Sequence, residues 1–211
     1  MRILRVVASL LLTASSAVAA ESVWIEGESS TDTDFNRHSW YEDTGLKKDL
    51  MSPGRPETVQ GDWLAHYTPG VTAARYARWS FNLTEGGSYA WWIRTNPINA
   101  TLSYAVDGAA RQPLDLTDYR EIVNIVQGID IRWLAWVKVG DFTLAPGAHT
   151  VEIEVAANPA RSDTHGGVDV LALVNFPWEP VGTLRPGEVL SPPGPSVWFP
   201  LRAGDDPLSP A

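Results

Sequence analysis

HTVEIEVA, residues 149–156, sets Val151, Ile153 and Val155 in strict alternation with Thr150, Glu152 and Glu154. A side-chain period of two marks a strand with one face in a core and the other in water. The stretch follows LAPGA, residues 144–148, whose Pro-Gly pair is turn chemistry. AWVKVGDFTL, residues 135–144, lies just before that turn, so the two segments read as a hairpin.

The same pattern extends towards both ends of the chain. VWIEGE (23–28), DWLAHYT (62–68), RYARWSFNL (75–83), SYAWWIRT (88–95), TLSYAVD (101–107) and VDVLALV (168–174) all read as strands. Glu85-Gly86-Gly87, Asp107-Gly108 and His165-Gly166-Gly167 punctuate them as turns. Short strands at this spacing, with no long amphipathic helix, imply an all-β fold, an antiparallel β-sandwich or jelly roll. Two stretches break the rhythm: residues 29–60, a polar loop holding Trp40 and Tyr41, and residues 113–132, an irregular insertion with room for a helical turn. Loops this long in a compact domain generally carry function, so binding residues are expected there.

Residues 1–20, MRILRVVASLLLTASSAVAA, carry Arg2 and Arg5 ahead of an apolar run and end in small residues before Glu21. They read as a signal peptide, too short for a membrane anchor, so the mature protein is expected to be secreted or periplasmic, with no membrane partner. Residues 21–178 are expected to be the β-sandwich module. Residues 179–211 hold eight of the sixteen prolines and read as a linker or the start of a further module, unless this tail packs back on the sandwich.

The formal charge of the whole chain is -9, and without the leader's two arginines it is 14 basic against 25 acidic residues, -11. Nucleic-acid binders need a basic footprint, so nucleic acid is excluded as a partner, and neutral sugars fit better than highly anionic polymers unless a local cluster such as Arg94 with Lys138 reverses the field. The chain has no cysteine, so an exported fold must be held by its core or by a metal. It has ten tryptophans, and an indole is a flat apolar plate with a polar edge that suits the apolar face of a sugar ring. Most tryptophans within strands serve as core, and Trp24, Trp63, Trp79 and Trp136 are read that way. Trp91 is assigned inward, and Trp92, on the opposite face with Ala90 and Arg94, is left open.

Glu26 and Glu28, two apart on the first strand, place both carboxylates on one face. Either the face is solvated, or a hard cation relieves the repulsion.

IEGE (25–28), GDWLAHY (61–67), LTEGGSYAWWIRTN (83–96), LSYAVDG (102–108), LAPGAHTVEIEV (144–155) and GGVDVLALV (166–174), taken in that order, resemble the carbohydrate-binding modules of families 6 and 35. The resemblance covers residues 22–176 and implies a galactose-binding-like jelly roll. It implies a structural Ca²⁺ held by Glu26, Glu28 and Asp169. It also implies a saccharide stacked on loop aromatics, for which Trp40, Tyr41 and Trp133 are the candidates. Arg94, Asn96, Asn158 and His165 are the candidates to bond its hydroxyls.

The sequence has no Gly-x-Ser-x-Gly, no His-Glu-x-x-His and no phosphate loop, while paired carboxylates such as Glu42 with Asp43, or Asp115 with Asp118, leave a glycosidase or lyase open as the less favoured reading. The expected function is non-catalytic binding of an oligosaccharide or polysaccharide, targeting a glycoside hydrolase or polysaccharide lyase module downstream in the same polypeptide. The alternative is a structural or protein-contact jelly-roll domain without sugar binding.

Overall fold

The computed structural model describes residues 19–36, 63–70, 72–124, 133–158, 160–161 and 163–189. Eleven strands are defined among them: β1 (Ser22–Glu26), β2 (Asp32–Thr33), β3 (Leu64–Pro69), β4 (Arg75–Leu83), β5 (Gly87–Thr95), β6 (Thr101–Val106), β7 (Gln112–Pro113), β8 (Tyr119–Asn124), β9 (Trp133–Leu144), β10 (Gly147–Ala156) and β11 (Asp163–Val174). They form two antiparallel sheets, one of six strands in the order β1-β11-β5-β9-β8 with β3 also on β11, and one of five in the order β2-β4-β10-β6-β7. The chain is an all-β sandwich.

Alternation builds the interior. Ala77, Trp79 and Leu83 from β4 and Val151, Ile153 and Val155 from β10 face Tyr89, Trp91 and Ile93 from β5 and Leu171 and Leu173 from β11. Each large apolar side chain moved from water into this layer contributes about 1.5–3 kcal/mol. Trp79 also satisfies its indole N–H, which donates to the Gly27 carbonyl at 2.9 Å within the core.

The expected hairpin between residues 135–144 and 149–156 does not form. β9 pairs with β5 and β8, whereas β10 pairs with β4 and β6, so Ala145-Pro146 carries the chain from one sheet to the other. Gly147 makes the corner at φ 124°, a conformation that L side chains rarely adopt. β4 and β5 repeat the device across Thr84–Gly86, again joining the two sheets instead of pairing. Local alternation shows that a segment is a strand but not which sheet receives it, because both inward faces are equally apolar.

The insertion at 113–132 also differs from expectation. Its described part contains β8, which pairs with β9 along an edge of the six-stranded sheet.

Two irregularities shape the site. The pairing of β11 with β5 skips a residue between Val168 and Val170, so Val168 faces the inner core while Val170 joins Trp92 on the outer face. β1 ends at Glu26, and Gly27–Ser29 form a turn of 3-10 helix against β11. Only glycine fits there, since a Cβ on Gly27 would lie 1.8 Å from the Val168 carbonyl oxygen. Glu28 therefore leaves the strand, and the expected shared face of Glu26 and Glu28 is lost.

The described part of the tail beyond the last strand returns to the sandwich. Trp178 sets its edge against Trp92 and Trp136, at centroid distances of 6.4 and 5.7 Å. Trp136 Nε1 donates to the Gly182 carbonyl at 2.8 Å. Arg185 reaches Glu26 at 3.0 Å and lies over the Trp24 ring at 5.6 Å. The segment from Trp178 to Arg185 is thus a strap across the outer face of the six-stranded sheet, from β8 and β9 to β1.

Candidate binding cleft

The outer face of the six-stranded sheet carries a second aromatic layer. Trp92, Trp136, Val170 and Ala172 are buried there, with Trp24, Ala90 and Trp178 packed against them. The small side chains of Ala172 and Val170 leave room for the rings of Trp24 and Trp136 to meet at 5.7 Å.

Beside this layer, between strap and sheet, lies an open cleft of about 630 Å³, within the several-hundred Å³ range of small-ligand sites. Ala90, Trp92 and Val174 form its floor, and Phe176, Pro177 and Trp178 form one wall. Its rim is polar: Ser88, Asn175, Arg120, Lys138, Asp141 and Glu179. Arg120 stacks on Trp92 at 5.3 Å and pairs with Glu179 of the strap, and Lys138 bonds Asp141 at 2.9 Å. The cleft therefore combines ring surface with donors and acceptors, and its two cations are matched by two anions.

A second hollow, of about 590 Å³, lies on the five-stranded sheet. No aromatic ring lines it, and Glu152 holds both of its arginines, Arg78 and Arg111.

The residues expected at the rim of the loop end are mostly interior. Arg94, Asn96 and His165 are 1%, 0% and 1% exposed, so none of them presents a polar group to a ligand in solvent. Arg94 gives a guanidinium N–H to Asp169 at 2.6 Å, both side chains buried. The Asn96 side-chain oxygen accepts from the Ile98 amide at 2.8 Å. The two His165 nitrogens lie 3.2 Å from Asp163 and 3.3 Å from the Ile98 carbonyl. Asn158 stitches the loop before β11 to the loop before β6, donating to the Asn99 carbonyl at 2.6 Å and accepting from the Ala160 amide. Trp133 is half-buried at the start of β9. Trp40 and Tyr41 lie outside the described residues.

The calcium expectation meets a mixed arrangement. The backbone sets Glu26 opposite Val170 and Gly27 against the Val168 and Asp169 carbonyls, and oxygen donors suit a hard cation. Among the described residues, however, no three His, Asp or Glu side chains converge as a metal-binding group. Glu26 already accepts from Trp24 and Arg185, and Asp169 from Arg94.

The lower end of the sandwich is closed by Glu21. Its carboxylate accepts from the amides of Thr84 and Glu85, the Thr84 hydroxyl and the Tyr89 hydroxyl. Burial alone raises a carboxyl pKa, but these bonds outweigh it and hold Glu21 at about 2.

The strap wall had one sequence signal, the isolated Trp178 directly after the last strand. Arg120, Asp141 and Glu179 had none, because surface charges are not distinguishable before their neighbours are known.

No protein-family model and no curated protein matches the chain. Similar solved structures include a family 35 carbohydrate-binding module from an environmental isolate, with 13% identity and a TM-score of 0.45, covering 72% of this chain and 91% of that one. A family 35 module from Cellvibrio japonicus has 12% identity and a TM-score of 0.42, with 72% and 92% covered. A GH26-CBM35 β-(1,4)-mannanase from Podospora anserina has 14% identity and a TM-score of 0.42; the chain spans 29% of that enzyme's length. At this level of similarity neither ligand, metal nor activity transfers to this chain.

Proposed function

We propose that the protein is an exported, non-catalytic saccharide-binding module, and that a sugar chain lies in the cleft between β5, β9 and the strap. The observation that carries this reading is the composition of that cleft. Trp178 and Phe176 offer half-buried rings beside a rim of alternating acids and bases. Few ligands other than saccharides carry apolar patches and hydroxyls at the same spacing. Binding at one such site is weak, and its use is to raise the local concentration of a tethered glycan-active module near its polymer.

The test is titration of neutral polysaccharides and oligosaccharides into the mature chain, followed by tryptophan fluorescence and calorimetry. Binding that is lost in Trp178→Ala supports the site. Silence across a broad glycan panel favours the second reading, a protein-contact domain. One observation speaks for that reading: three outer-face indoles, Trp24, Trp92 and Trp136, are already covered by the chain's own strap.

The calcium ion remains part of the proposal, with Glu26, Glu28 and Asp169 as the side chains that would hold it. A rise in melting temperature with calcium that disappears in Glu28→Ala supports it; equal melting in calcium and in chelator removes it.

A further inference from the structure

We infer that the cleft selects neutral saccharides over anionic ones, and that Asp141 and Glu179 are the residues that impose the choice. The inference rests on the saccharide-binding reading above and adds to it the class of ligand. Two bases line the cleft: Arg120 of β8, whose guanidinium lies over the Trp92 ring at 5.3 Å, and Lys138 of the neighbouring β9. A pair of cations beside a ring is the arrangement that would take a uronic acid or a sulfated sugar. Here each cation is matched, Arg120 by Glu179 and Lys138 by Asp141.

Stability does not explain the two pairs. All four side chains are between 40% and 66% exposed, and exposed ion pairs contribute little to folding. Their effect is on the field inside the cleft, which carries two positive and two negative charges in a chain of net charge -9. An anionic sugar must approach a negative molecule and displace a carboxylate from each base, whereas a neutral one bonds to the paired groups as they stand. Glu179 belongs to the strap, so the strap supplies both a wall of the site and half of its selectivity.

The mature chain, Asp141→Asn and Asp141→Asn/Glu179→Gln are titrated with trigalacturonate and with cello-, xylo- and mannohexaose, at low and at 1 M salt. The wild type is expected to bind a neutral hexaose and to bind trigalacturonate at least about tenfold more weakly. The double variant is expected to narrow the ratio between the neutral hexaose and trigalacturonate, with a gain of about tenfold for trigalacturonate that is lost at high salt. Asp141→Asn alone, which leaves the strap's own ion pair intact, should show part of the gain and keeps the test valid if Glu179→Gln loosens the strap. A wild type that prefers trigalacturonate, or variants that gain nothing for it while still binding the neutral sugar, overturns the selectivity and leaves the binding site standing. Failure of all the proteins to bind any of the four sugars overturns the saccharide-binding reading itself, and this inference with it.

Discussion

Trp91 and Trp92 are neighbours in the chain and lie on opposite faces of β5, where two different structures cover them. Trp91 faces the other sheet, in a layer built by alternation on strands from both sheets and edged by Tyr104 and Phe142. Trp92 faces outward and is covered by Arg120 of β8 and by a strap anchored through Trp178, Glu179, Gly182 and Arg185. A face covered by another sheet is committed to stability, whereas one covered by a strap leaves space at its border. That border is the cleft.

The contrast can be broken from the inside first. Trp79→Ala should cost about 3–5 kcal/mol in denaturant unfolding, since it opens a cavity between the sheets and orphans the Gly27 carbonyl. A loss below about 1 kcal/mol would show that the inner layer collapses freely, against the close packing of cores.

Asp169→Ala tests the buried ion pair behind the bulge. Leaving Arg94 without its buried counter-charge should destabilise by about 3–4 kcal/mol, with Asp169→Asn milder. Melting close to that of the wild type for both variants would mean that the pair is as solvated as a surface bridge.

Trp178→Ala addresses the outer layer. The indole is half-buried, so about 1–2 kcal/mol of stability is expected to be lost, while saccharide binding should vanish. Stability loss equal to that of Trp79→Ala would erase the distinction between the two faces.

The smallest effect concerns acid. The folded pKa of Glu21, about 2, lies below the ordinary 4.5, so its contribution is fully present above pH 4.5 and is lost as pH falls through about 2. Glu21→Gln should flatten this limb of the stability profile and leave the slope above pH 5 unchanged. An identical acid limb in the variant would move the acid sensitivity elsewhere.

The strands were legible because alternation is a local property. Residues 75–83 read from sequence coincide with β4, and 88–95 falls one residue short of β5. The inward assignment of Trp91 also holds, as do the core readings of Trp63, Trp79 and Trp136. The partner of each strand was not legible, and the turn at Pro146-Gly147 was read as a hairpin when it crosses between sheets. Arg94, Asn96 and His165 were read as candidates to bond a sugar's hydroxyls on the strength of the family resemblance. The bulge in β11 and the crossing loops bury them and satisfy them from within.

The tail shows the same limit. Its prolines describe a stiff, extended segment, and composition says nothing about what such a segment lies on.

The amino-acid order alone therefore determined an acidic, cysteine-free β-domain whose strands each have one apolar face, because side-chain period and composition act within a few residues. Only tertiary structure decided which sheet receives each strand, which polar groups are consumed internally, and that the segment from Trp178 to Arg185 folds back to build a cleft. Those outcomes depend on contacts between residues as far apart as Glu26 and Arg185, which no local pattern encodes.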